Sequence, residues 1–92
     1  MSDFRIFETV QFADDLERIS PARREKISLK LRSHVYPQLR EQPYFGANIK
    51  KLKGYKPDTW RYRIGNYRFF YIIDDEQKMV FMIAAGTRQQ SY

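Results

Sequence analysis

Large apolar residues and arginines alternate along residues 59–73, which read TWRYRIGNYRFFYII. A strand points successive side chains to opposite faces. In the first arm Trp60, Tyr62 and Ile64 therefore share one face, while Arg61 and Arg63 share the other. In the second arm Tyr67, Phe69, Tyr71 and Ile73 lie together, with Arg68, Phe70 and Ile72 opposite. Gly65-Asn66 suits a two-residue hairpin turn. Such a turn pairs residue 64 with 67, 63 with 68 and 61 with 70. The apolar faces then coincide, and Arg61, Arg63 and Arg68 emerge together on the reverse.

Upstream the pattern changes period. Phe4-Arg5-Ile6-Phe7 reads as an opening strand. Thr9 can cap a helix whose Phe12, Leu16 and Ile19 fall on one face. Ser20-Pro21 breaks and restarts the chain, with serine suited to the N-cap and proline to the first helical position. A second helix is predicted from residue 21 to about 39, with Ile27, Leu31, Val35 and Leu39 as its apolar face and Pro37 terminating or kinking it. So tight a break between two helices predicts an αα-hairpin. Residues 42–48 read as loop, Ile49-Lys50-Lys51-Leu52-Lys53-Gly54 as a short basic segment, and Tyr55-Lys56-Pro57-Asp58 as a turn. After the polar turn Asp74-Asp75-Glu76-Gln77, residues 79–85 form a third apolar strand that Gly86 ends. The order β-α-α-β-β-β predicts an α+β fold, an antiparallel sheet of about four strands with the N-terminal αα-hairpin packed on one face. A length of 92 residues suits one domain spanning 1–92.

Composition narrows the chemistry. The absence of cysteine excludes a disulfide framework, a thiolate nucleophile and a cysteine-ligated zinc, and fits a reducing cytoplasm. No run of apolar residues is long enough for a membrane span, and Met1-Ser2-Asp3-Phe4-Arg5 has no signal-peptide core. The expected location is cytoplasmic. Net charge is +6, from 17 Lys+Arg against 11 Asp+Glu. The excess is local: residues 48–68 hold seven basic residues and one acid, Asp58. The acids gather in Asp14, Asp15 and Glu17 and in Asp74, Asp75 and Glu76.

Guanidiniums opposed across a strand pair repel, by about 0.2–1 kcal/mol on the scale of cross-strand effects. Two resolutions are open. A carboxylate of the acidic turn neutralises them, or an external anion does. Arginine's planar fork binds phosphate through two bonds and keeps its charge at physiological pH. Arg88 follows the third strand and is within reach of the same face if that strand neighbours Arg68. Other chemistries have less support. His34, the sole histidine, reads as a surface or interface residue of a helix rather than a catalyst. Asp74-Asp75-Glu76 lacks the EF-hand pattern, so no metal site is expected, and no cofactor-binding motif occurs. Tyr67, Phe69 and Tyr71 would suit base stacking, but the helices need an apolar sheet face to cover, which favours the core.

Leu52-Lys53-Gly54, then Trp60-Arg61-Tyr62-Arg63-Ile64-Gly65-Asn66-Tyr67-Arg68-Phe69-Phe70-Tyr71, then Gly86-Thr87-Arg88 and Tyr92, together resemble the RelE/ParE superfamily of bacterial and archaeal toxins from type II toxin–antitoxin modules. The resemblance covers nearly the whole chain. It implies a ribosome-dependent endoribonuclease that cuts mRNA in the decoding site by metal-free attack of a ribose 2′-OH on the adjacent phosphate. It also implies a cognate antitoxin that wraps the toxin, in a complex that binds operator DNA through the antitoxin. On that resemblance Arg61, Arg63, Arg68 and Arg88 hold the phosphate and stabilise the transition state. Tyr92 is the terminal tyrosine, a general base or a stacking group. Lys50, Lys51 and Lys53 hold the RNA backbone. Arg61 and Arg63 stand where the best-known bacterial members carry lysines, and arginine does not serve as a base. Thr87 stands where some relatives have a histidine. Some relatives instead poison DNA gyrase, and a noncatalytic RNA-binding module is a further alternative.

Overall fold

The computed structural model describes residues 3–19 and 21–87. Its element order is β1 (Arg5–Glu8), α1 (Val10–Glu17), α2 (Pro21–Lys30), a π-helical turn (Leu31–Val35), α3 (Tyr36–Glu41), β2 (Ile49–Lys51), β3 (Trp60–Ile64), β4 (Tyr67–Asp74) and β5 (Met79–Thr87). The sheet has five strands in the order β1-β5-β4-β3-β2. The α+β fold with helices on one face is as expected, but the sheet departs from expectation in three ways.

First, Ile49-Lys50-Lys51 is a strand rather than only a basic segment. It is too short and too rich in lysine to read as one, yet it pairs antiparallel with β3, Ile49 against Tyr62 and Lys50 against Arg61. Lysine on an outer strand also discourages pairing with another chain. Second, β1 pairs parallel with β5, so the sheet is not wholly antiparallel. Third, β5 runs through Gly86 to Thr87 because Arg68 and Tyr67 of β4 continue the ladder, pairing with Gly86 and Thr87.

The hairpin register is the predicted one: Ile64 pairs with Tyr67, Arg63 with Arg68 and Arg61 with Phe70. Gly65 takes a φ of 58° at the first central position of the turn, the conformation that favours glycine there. Trp60, Tyr62, Phe69, Tyr71, Val80 and Met82 then face Phe12, Ile27, Leu31, Val35 and Leu39 in one buried cluster. Leu16 and Ile19 pack on its margin. The buried tyrosines keep their hydroxyls satisfied and join the layers. Tyr71 donates to the Pro43 carbonyl at 2.7 Å, Tyr62 to Gln38 Oε1 at 2.7 Å and Tyr36 to Glu8 Oε2 at 2.5 Å. Burial raises the Tyr71 and Tyr36 pKa values well above the usual tyrosine range.

Pro37 does not end the second helix. It lacks the N–H that would bond the Ser33 carbonyl, and its ring crowds that carbonyl. The turn before it widens, so the Tyr36 N–H bonds the Leu31 carbonyl, and the helix continues to Glu41. Ile27, Leu31, Val35 and Leu39 all remain buried across the widening. Ser20, the expected cap, lies outside the described residues.

Thr9 joins three elements. Its N–H and hydroxyl both donate to the Met82 carbonyl, at 3.0 and 2.9 Å, while Oγ1 accepts from the Phe12 N–H at 3.2 Å and caps α1. Past Met82, β5 bulges at Ile83, since Tyr71 pairs with Met82 but Phe70 with Ala84. β1 has ended here, leaving the outer edge of β5 without a strand. Asp15 replaces it: buried on α1, it accepts from the Ala85 N–H at 2.9 Å and from Gln11 Nε2 at 2.8 Å. Asp15→Ala strands the Ala85 N–H and should cost about 1–3 kcal/mol in urea unfolding. Asp15→Asn keeps an acceptor oxygen and should recover most of that loss.

Candidate phosphate-binding face

With one sheet face buried by the helices, alternation sends Arg61 and Arg63 of β3, Arg68 of β4 and Lys50 of β2 to the other face. Lys50 lies beside Arg61, and Arg63 lies directly across from Arg68. Arg68's other neighbour is Gly86, which has no side chain to cover it. Beside β2 and β3 the face deepens into a groove of about 600 Å³, lined by Ala47, Asn48, Ile49, Lys50, Arg61, Arg63 and Gly65. The Arg63 N–H donates to the Asn48 carbonyl at 2.9 Å, which ties the groove's loop wall to its floor.

Electrostatics separates the two resolutions left open above. Among the described residues the ion pairs are Arg24–Glu17, Lys51–Asp58 and Lys78–Asp75. None involves Lys50, Arg61, Arg63 or Arg68. The acidic turn is engaged elsewhere. Asp74 Oδ1 accepts from the Gln77 N–H at 3.1 Å, and Asp75 accepts from the Tyr44 hydroxyl at 2.9 Å and from Lys78 Nζ at 3.1 Å. The Tyr44 bond, then Lys78, hold the Asp75 carboxyl below its ordinary range. Desolvation and that same bond push the Tyr44 hydroxyl up to about 12. Arg61 Nε is buried without a hydrogen-bond partner among the described residues. A buried donor left unmade costs free energy. Lys50, Arg61, Arg63 and Arg68, with no carboxylate partner among the described residues, present the donor chemistry that suits an oxyanion.

The expected basic residues divide. Lys50 joins the arginines. Lys51 does not: it sits on the helix side of the same strand, over the Trp60 ring at 5.6 Å and 3.2 Å from Asp58. Lys53 is exposed in the turn after β2. Arg88 and Tyr92 lie outside the described residues; the last described residue, Thr87, ends β5. Tyr67, Phe69 and Tyr71 face the core, so they are not a base-stacking platform. Sequence reasoning missed the Ala47-Asn48 wall, and the difference between Lys50 and Lys51. The signal was there in the alternation of Ile49-Lys50-Lys51, overlooked because three residues make a weak period.

Over residues 6–92 the chain matches the family described as the ParE toxin of the type II toxin–antitoxin system, parDE. The chain belongs to this family of toxins. No curated protein matches it. Among solved structures, the toxin is similar to a chain of the RelBE2 toxin–antitoxin complex from Mycobacterium tuberculosis, at 23% identity and a TM-score of 0.72, covering 94% of this chain and 99% of that one. It is similar to a chain of the archaeal RelE–RelB complex from Pyrococcus horikoshii, at 22% identity and 0.69, covering 97% and 99%. It is also similar to the isolated RelE toxin of E. coli, at 26% identity and 0.67, covering 96% and 87%. The toxin therefore has the RelE-like fold, and among its described residues no helix is long and apolar enough to cross a membrane.

If the face is an anion site, inorganic phosphate should raise the melting temperature more than sodium chloride at equal ionic strength. Arg63→Thr should lose most of that excess while gaining about 0.2–1 kcal/mol in low salt, from relief of the Arg63–Arg68 opposition. Equal responses to both salts would argue against the site.

Proposed function

We propose that this toxin is a ribosome-dependent endoribonuclease that cleaves mRNA and so inhibits translation. The observation that carries the reading is the cationic face built by Lys50, Arg61, Arg63 and Arg68, which no carboxylate of the described residues neutralises. The substrate is a phosphodiester of single-stranded RNA. The ribose 2′-oxygen attacks the adjacent phosphorus, the bond to the 5′-oxygen breaks, and the products are a 2′,3′-cyclic phosphate and a 5′-hydroxyl. Charge builds on the phosphorane oxygens during this step. Fixed guanidiniums aimed at them are worth most in the transition state, because they need no reorganisation.

Two protons must also move, one off the 2′-OH and one onto the leaving oxygen. Arginine carries neither. Lys50 aside, the arginine cluster has no described residue suited to acid or base work. His34 is exposed on the helix side and Asp74 lies at the far end of β4. Tyr92 is the candidate base in the segment after β5, and Arg88, next in the chain after Thr87, is a fourth arginine for the phosphate. The ribosome's decoding site orients the strand for in-line attack, a large term in its own right. Free protein is accordingly a weak nuclease.

The partners follow from this reading. An antitoxin protein neutralises the toxin, as the RelB-containing complexes among its structural relatives suggest, and carries the pair to operator DNA. The work is done in the cytoplasm, where the ribosomes are.

Removing one oxyanion-stabilising donor typically costs about 10²–10³ in rate. Arg68→Ala should therefore cut mRNA cleavage on programmed ribosomes by about that factor and relieve growth inhibition, with its unfolding midpoint little changed. If mRNA stays whole on ribosomes while purified gyrase accumulates trapped DNA breaks, the toxin is a gyrase poison instead.

A further inference from the structure

The cationic face is not cationic throughout. Across the strand pair from Arg61 sits Phe70, and beyond Phe70 sits Ala84. The bulge at Ile83 adds an extra apolar side chain at this point. Tyr55, in the loop before β3, closes the far side. Together with Thr59 these residues line an apolar notch of about 90 Å³. Phe70 is buried at its floor, while Tyr55 remains 43% exposed at its rim.

We propose that this notch takes a nucleobase of the RNA strand whose phosphates the arginines hold. The inference rests on the phosphate reading above. Three observations carry it. The first is adjacency: Arg61 belongs to the groove and is also the direct cross-strand neighbour of Phe70, at the separation of one strand from the next. A strand gripped at Arg61 has its next base over the notch.

The second is the chemistry of the lining. An apolar floor with one exposed aromatic ring on the rim offers a π-face and few hydrogen-bonding groups. Such a surface accepts any base by stacking and reads none by hydrogen bonds. Its cationic margin favours an anionic occupant over a neutral apolar one.

The third is that the notch is held in shape. The loop carrying Tyr55 is closed by the Leu52 N–H on the Thr59 carbonyl at 2.8 Å and by Thr59 Oγ1 on the Pro57 carbonyl at 3.0 Å. The Lys51–Asp58 pair at 3.2 Å crosses the same loop. The aromatic row first considered for stacking, Tyr67, Phe69 and Tyr71, faces the core. Among the described residues, Tyr55 and Phe70 are the aromatics of the notch, and Phe70 is the cross-strand neighbour of Arg61.

The test is the affinity of the toxin for a fully 2′-O-methylated RNA hexamer, which has no 2′-OH to attack, measured across a salt series. Tyr55→Ala removes an exposed ring and should weaken binding about 5- to 150-fold, the range for one base stack, without altering the salt slope. Ala84→Leu, which fills the notch, should do the same. Arg63→Ala should instead lower the slope by about 0.7, one phosphate contact. A hexamer made abasic throughout should bind wild type and Tyr55→Ala alike. If the hexamer binds with a steep salt slope but neither notch variant weakens it, or if the abasic form binds wild type as tightly as the intact one, the notch is not a base site. It then fits an apolar protein side chain, while the phosphate reading stands. If the hexamer does not bind at all, both fall.

Discussion

Burying one face of the β3–β4–β5 sheet under the helices dictates the content of the other face. Side chains alternate strictly along a strand, so once Tyr62, Phe69 and Tyr71 are committed to the core, Arg61, Arg63, Arg68 and Phe70 have no choice of direction. A slip of one residue would place three guanidiniums against Phe12, Leu31 and Val35. Burying one large apolar side chain is worth about 1.5–3 kcal/mol, whereas opposing two arginines costs about 0.2–1 kcal/mol. Core packing wins by a wide margin, and the strained charge pattern is carried along with it.

That imbalance lets a small protein display a cationic surface. The arginines do not hold the fold together, and no described carboxylate quiets them. The acidic turn that might have done so is occupied by Tyr44, Lys78 and the Gln77 N–H. The site is thus rigid in its backbone and unsatisfied in its charge, which suits the binding of a transition state that carries more negative charge than the ground state. At the end of the sheet, Thr9 and Asp15 hold β5 where β1 has stopped, and so fix the strand that leads to Arg88.

The hairpin was the most legible part of the chain. Its alternation is long, its turn residues are diagnostic, and the pairing of Arg63 with Arg68 and Arg61 with Phe70 follows from them. The helix faces were equally plain, because Ile27, Leu31, Val35 and Leu39 recur every fourth residue. Three features were not legible, each for a local reason. Ile49-Lys50-Lys51 is too short to show a period, and its strand character comes from β3. Parallel pairing of β1 with β5 joins segments more than seventy residues apart, which no local pattern reports. The helix passes Pro37 and ends at Glu41, close to the expected end, but the proline left open whether it would kink or terminate the helix, and the widened turn that absorbs the missing hydrogen bond has no sequence signal. In the site, the arginines could be placed on one face from the register alone. Their lack of partners could not, since it depends on where Asp74 and Asp75 turn.

Arg61, Arg63 and Arg68 have no carboxylate partner among the described residues, and RNA phosphate is their proposed ligand. Arginine Nε–H resonances report this directly in a titration with a noncleavable single-stranded RNA. The Arg61, Arg63 and Arg68 signals should shift together and saturate at one RNA concentration. Shifts confined to the helix arginines, such as Arg23, Arg24 and Arg32, with these three unmoved, would contradict it.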